Sequence, residues 1–293
     1  AQAAPGTGLG RVNPDNKDNR ARAWSVDGDR DLLTEAISNW IVTTGRRASP
    51  IIIAGQSYGG LRAPRIADQL RQRGDIAVSG IVLISPMLDY GWRYQGRTSP
   101  LPMATLLPSF AATAMEAEGK FAEKDLVEVE TYAAGAFIAD YLRGPADVAA
   151  VERMVRRVTT ITGLPADLVR AAHGRIDEAQ FAREFQRAKG RVLSTYDASI
   201  AGTDPEPSHA RPASADPFLA ALRAPLSLGM TQLLTTHLAT RERNYIVANE
   251  DAFEHWDWGH DGGMPESVTA LRRVLALDPQ MRVFAVHGFQ DLQ

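Results

Sequence analysis

Cysteine is absent from the 293 residues, which excludes disulfides, thiol nucleophiles and cysteine metal sites. An excess of one charge is lacking too. The 32 Lys and Arg against 35 Asp and Glu leave a net charge of −3, and no basic stripe offers a footprint for nucleic acid. No apolar run reaches the roughly 20 residues that cross a bilayer, so no membrane partner is expected. Internal repeats and low-complexity tracts are missing. The chain starts at Ala1 with neither an initiator Met nor a signal-peptide pattern, so any targeting segment is expected upstream. What is present is a 44% hydrophobic composition, enough for a sizeable core arranged as one domain with an insertion, or as two domains.

The most informative stretch runs from Pro50 to Leu61, where Ile51-Ile52-Ile53-Ala54 leads into Gly55-Gln56-Ser57-Tyr58-Gly59-Gly60. Gly-x-Ser-x-Gly between a β-branched run and a helix is the sequence form of a nucleophile elbow, which lifts a serine hydroxyl above a sheet. Gly55 and Gly59, two residues either side of Ser57, are expected where backbones approach too closely for a Cβ. Ile51 to Ala54 reads as a short, fully buried strand. Ala63, Ile66, Ala67 and Leu70 then mark one apolar helix face, with Arg71 and Arg73 suiting the helix C-terminus and Gly74 a stop. Gly80 to Ser85 reads as a second buried strand ended by Pro86. Strand, helix, strand is a βαβ unit, which favours a parallel sheet.

Upstream, Leu33, Ala36, Ile37, Trp40 and Ile41 predict an amphipathic helix, with Asp29 or Asp31 as its cap. From about Trp92 to His260 helical patterning takes over. Val148, Val151, Val155 and Val158 share a face, Pro165 opens a short helix ending near Gly174, and Phe181 and Phe185 are four apart. Residues 201–217 are polar and Pro-rich, hence a loop. Val268, Leu271 and Leu275 predict another helix, and Met281 to Val286 a buried strand. The fold class is therefore α/β: a mainly parallel sheet of α/β-hydrolase type with a helical cap insertion. Residues 1–91 and 262–293 form the core in this reading, and 92–261 the cap.

A serine nucleophile needs a histidine to take its proton and a carboxylate to orient that histidine, in chain order Ser, acid, His on this fold. Asp291, in a turn after the Met281–Val286 strand, stands where the acid belongs; a solvated turn aspartate is the competing reading. Of the six histidines, none follows it. His287 precedes the acid and breaks the order. His173 is explained by a helix C-terminus, His209 by the Pro-rich loop, and His237 by a helix. His255-Trp256-Asp257-Trp258-Gly259-His260 imitates metal spacing, but its tryptophans fit a packed loop better, and no metal or cofactor is expected. The glycine-rich Pro5-Gly6-Thr7-Gly8-Leu9-Gly10 lacks both the Gly-Lys-Ser/Thr ending of a P-loop and a preceding strand.

Together these segments resemble the serine carboxypeptidase family, especially its bacterial members. Gly55-Gln56-Ser57-Tyr58-Gly59-Gly60 is similar to the family's Gly-Glu-Ser-Tyr-(Gly/Ala)-Gly, and Pro5 to Gly10 to its Pro-Val-Gly-Thr-Gly-Phe-Ser loop. Tyr196 to Asp204 is similar to a segment late in the cap, and Gly288-Phe289-Gln290-Asp291-Leu292 to the Gly-x-x-Asp-Leu turn bearing the triad acid. The resemblance implies a serine exopeptidase acting on peptide substrates, periplasmic or secreted, with Ser57 as nucleophile and Asp291 as acid. The backbone N–H of Tyr58 would supply half of the oxyanion hole. Gln56 stands where the family has a glutamate that holds the substrate's terminal carboxylate. The family's Asn-Gly-Gly-Pro-Gly loop and its catalytic histidine lie beyond the two ends of this chain, so the resemblance implies a fragment with an incomplete sheet and low activity. Two other readings stand beside it: a different α/β-hydrolase (esterase, acyltransferase or aminopeptidase), and a non-catalytic binding protein of hydrolase fold.

Overall fold

The β-branched run at Ile52 does form a strand, and its neighbours build a sheet around it. The computed structural model describes residues 7–8, 22–74, 76–93, 98–208, 216–237, 245–259 and 263–293. Contacts divide the chain into two compact units, Ala1–Tyr94 with Arg223–His287, and Gln95–Leu222 with Gly288–Gln293.

In the first unit, helix α1 (Val26–Thr43) precedes strand β1 (Ile52–Gln56), helix α2 (Tyr58–Gly74) and strand β2 (Gly80–Ile84). Helix α3 (Val268–Leu277) and strand β3 (Arg282–Val286) complete it. The sheet order is β1-β2-β3 and both pairings are parallel, with Gln56 level with Ile84 and Ile84 with Val286. The described residues thus form an α/β fold with a small parallel sheet, as the apolar runs predict.

The prediction of three buried strands, the first of them buried completely, is corrected. Ile81 and Leu83 pack with Ala63, Ile66, Ala67 and Leu70 of α2, Leu33 and Ile41 of α1 and Val274 of α3. The opposite face is largely exposed among the described residues: Ile52 is 66% and Phe284 61% exposed, and Ile84 and Val286 are exposed beside them, though Gly80 on that face is buried. Unbroken apolar runs suit a parallel sheet covered on both faces, whereas the three helices supply one cover. Alternation with period 2 sends every second residue to that side.

The cap of α1 is also corrected. Ser25, not Asp29 or Asp31, is the N-cap, its Oγ accepting from the N–H of Gly28 at 3.0 Å. Trp40, predicted on the apolar face, is exposed with the Arg46 guanidinium 5.9 Å from its ring centre.

The second unit is helical around one continuous core. Helix Val148–Thr162 buries Val151, Met154, Val155, Val158 and Ile161 against Phe110 of helix Leu101–Ala117 and Phe137. Val148, predicted on the same face, is exposed at the helix start. Phe110 stacks on Phe181 at 4.2 Å, and Phe181 meets Phe185 at 5.1 Å. Pro165 stands at the start of helix Ala166–Ala171, and Gly174 follows with φ of +76°. The predicted loop at 201–217 is corrected at its beginning. Ala201–Thr203 pairs antiparallel with Arg191–Leu193, giving a short hairpin.

The predicted division placed 223–261 with the helical block and 288–293 with the sheet, whereas contacts group them the other way. Trp256 and Trp258 pack on Tyr58 and Tyr90. Leu292 is fully buried in the helical core, its N–H donating to Thr195 O at 2.9 Å.

Candidate active site

Ser57 occupies the turn between β1 and α2 with φ of +52°, a left-handed conformation that non-glycine residues adopt rarely and at a cost. Its backbone is held on both sides. The Ser57 N–H donates to Ile84 O at 3.0 Å, and Ser57 O accepts from the N–H groups of Gly60 at 2.8 Å and Met87 at 3.0 Å. The serine is exposed at the C-terminal end of the sheet. Open α/β sheets bind ligands at that end. On the next strand Ser85 repeats the strain, with φ of +42° and its N–H donating to Val286 O at 2.8 Å.

The glycines divide differently from the prediction. A Cβ on Gly55 would lie 2.0 Å from Gly59 O, and one on Gly60 would lie 2.5 Å from the Pro86 Cβ. A Cβ on Gly59 meets nothing within 4 Å, so Gly59 contributes its carbonyl position rather than its own lack of a side chain.

Three features behind the elbow carry no clear sequence signal. Pro64 lies inside α2 and has no N–H to give the Gly60 carbonyl four residues earlier. Ser267, fully buried, supplies a donor there, its one hydroxyl proton shared between Gly60 O at 3.1 Å and Leu88 O at 3.2 Å. Asp29 on α1 is fully buried and pairs with Arg62 on α2, whose Nη2 donates to Oδ1 at 3.0 Å. Burial raises the Asp29 pKa above the ordinary carboxylate value, and the Arg62 charge opposes the rise. The Arg62 guanidinium also stands 4.7 Å from the Tyr58 ring centre.

Tyr58 turns its side chain into an aromatic cluster, edge-on to Trp256 at 5.6 Å, Trp258 at 6.0 Å and Tyr90 at 6.1 Å. Its hydroxyl is buried and unpartnered among the described residues. Burial, with the Asp29 charge second, pushes the phenol far above its ordinary pKa. The tyrosine N–H stands at the first position of α2, where no intrahelical acceptor exists. Gln56, the last residue of β1, is exposed.

The turn of Asp291 belongs to the helical unit. Its N–H donates to Gly288 O at 3.2 Å, its Oδ1 accepts from the N–H of Gln293 at 2.9 Å, and the residue is buried. Ala198, in the segment Tyr196 to Asp204, donates its N–H to Gln290 O at 2.9 Å. The fold thus brings Gln56, Ser57, Tyr58 and the three glycines together, and ties Asp291 to the hairpin segment.

His287 follows β3, two strands from β1, so about two spacings of 4.8 Å separate its backbone from that of Ser57. His173 ends a helix with φ of +53°, and His237 follows helix Pro217–Thr236. The His255 Nδ1 lies 3.0 Å from the Asp251 carboxylate. His209 and His260 lie outside the described residues, as do Pro5, Gly6, Leu9 and Gly10. Within that loop, Gly8 pairs with Ile246 as an antiparallel bridge. Among the described residues no three His, Asp or Glu side chains converge as metal ligands, and no helix is long and apolar enough to cross a membrane.

Sheet and site define an α/β protein with a strained, exposed serine at a strand-to-helix turn. Comparison of the chain with protein-family models and with curated proteins yields no match.

Proposed function

We propose that this chain carries the nucleophile and the acid of a serine-type carboxypeptidase of α/β-hydrolase fold. The observation that carries the reading is the φ of +52° at Ser57, exposed between a parallel strand and a 17-residue helix. A nucleophile elbow requires that strained backbone, and an ordinary turn serine does not. In this reading Ser57 Oγ attacks the last peptide carbonyl as a base takes its proton. The tetrahedral intermediate then expels the C-terminal residue as a protonated amine, and water releases the acyl group from Ser57. The Tyr58 N–H, aided by the helix dipole of α2, stabilises the oxyanion. Gln56 donates an amide hydrogen bond to the substrate carboxylate at any pH, where a glutamic acid must first hold a proton. Asp291 orients the base. All six histidines of this chain precede Asp291, and the reading assigns the base to none of them.

A fluorophosphonate probe with added imidazole as external base tests the reading. Mass spectrometry should map the adduct to Ser57, and Ser57→Ala should lose it. An N-acyl dipeptide with a free C-terminus should slow labelling across the neutral range, and its C-terminal amide should not. In Gln56→Glu that protection should fade as pH rises. Labelling that persists in Ser57→Ala, or equal protection by acid and amide, refutes the assignment.

A further inference from the structure

In the helical unit, one face of helix Val148–Thr162 carries Arg153, Arg156, Arg157 and Thr160, at i, i+3, i+4 and i+7. Opposite this stripe the chain runs through a π-helical turn, Ala133–Phe137, into helix Ile138–Arg143. That side presents small residues, Ala136 and Ala139, between Tyr132 and Arg143. Long cationic side chains facing alanines leave a groove of about 500 Å³, within the range of small-molecule sites. π-Helical turns recur at functional positions.

The charge inside the groove is unbalanced. Four guanidinium groups line it, and Asp140 is the one carboxylate among the lining residues. Arg153 is held by Asp140, its Nε donating at 3.0 Å. Arg157 pairs with Glu128, and Arg143 with Asp147 at 3.2 Å. Each of these forks retains N–H donors beyond those bonds. Arg156 has no ion pair among the described residues, and Glu152 on the same helix is engaged by both nitrogens of the Arg170 fork, at 3.0 and 3.2 Å. The Tyr132 hydroxyl has no partner among the described residues either. Burial pushes that phenol up to about 12, so it stays a donor through the neutral range.

We propose that this groove binds a small phosphate-bearing anion, with Arg156 and the free donors of Arg143, Arg153 and Arg157 as its contacts. Dense negative charge and several acceptor oxygens match converging guanidinium forks, and the walls offer almost no acceptor that would suit a cation.

Calorimetric titration of the full chain at low, fixed ionic strength tests this with inorganic phosphate, glycerol phosphate, pyrophosphate and citrate. Saturable binding of the phosphates, pyrophosphate tightest, is expected. Glycerol phosphate binding tighter than inorganic phosphate points to an organic phosphate, and the reverse order to the free ion. Arg156→Gln should weaken pyrophosphate about tenfold. Ala136→Leu, which fills the groove without altering charge, should weaken it at least as much. Both sites are exposed, and circular dichroism should report unchanged folding. Absence of saturable phosphate binding, wild-type affinity in both variants, or citrate binding as tightly as pyrophosphate overturns the proposal.

Discussion

The two units spend their apolar residues in opposite ways. The helical unit gathers Phe110, Phe137, Met154 and Phe181, all fully or almost fully buried, into one core. The sheet unit splits its buried residues among the helix-covered face, the Tyr58 cluster and a small group around Trp24, and leaves Ile52, Ile84, Phe284 and Val286 of its second sheet face exposed. The lesson is that the strained serine does not draw its rigidity from a large core. It draws it from local devices: a glycine against a proline, a buried ion pair, and one serine hydroxyl.

The contrast can be broken by substitution, and the largest effect belongs to the helical core. Phe181→Ala should cost about 3–5 kcal/mol in chemical denaturation, since the stacked Phe110 cannot collapse into the space. An equally small loss there as at Phe284 would erase the distinction between the units. Next is Arg62→Met, which strands the buried Asp29 carboxylate and should cost about 3 kcal/mol, with Asp29→Asn added to it restoring part. Gly60→Ala should cost about 1–3 kcal/mol and slow Ser57 labelling, because its Cβ meets Pro86. Gly59→Ala should be nearly silent by both measurements.

Alkaline titration compares the units through one residue type. Tyr58 in the sheet unit and Tyr132 in the helical unit both have pKa values raised by burial. Their folded values lie above the unfolded value of about 10, so the stabilisation is fully present below that pH and is lost as pH rises past it. Phenolate absorbance should therefore show Tyr58 and Tyr132 titrating above the ordinary phenol range, at or with unfolding. Tyr132→Phe should flatten the alkaline loss without lowering stability at neutral pH. The smallest effect is expected from Phe284→Ser on the exposed face, within about 0.5 kcal/mol, with less self-association in light scattering.

Much of the fold is legible in the sequence because its signals are local. The Ile51–Ala54 run, the apolar stripe Ala63 to Leu70 and the Val151 stripe each state their own period, and each forms the element it predicts. Burial is less legible, since a strand's letters do not say whether a second layer covers Ile52 and Phe284. The same holds at the site. Ser57 and Gly55 follow from motif spacing, whereas the close approach at Gly60 depends on where Pro86 lies after β2. Asp29 reads as a cap from its place near a helix start, and becomes an ion-pair partner only once α2 lies beside α1. Ser267 has no sequence signal at all, because the acceptor that needs it is 207 residues away.

The link between Pro64, Gly60 and Ser267 has a consequence for how this protein can change. A proline at 64 leaves the Gly60 carbonyl dependent on a donor at 267, whereas without that proline the Ser267 hydroxyl still has the Leu88 carbonyl as an acceptor at 3.2 Å. The order of replacement is therefore constrained: the hydroxyl must arrive before the proline, and the proline must leave before the hydroxyl. A neutral drift at one site becomes possible or forbidden according to a residue in a distant part of the chain.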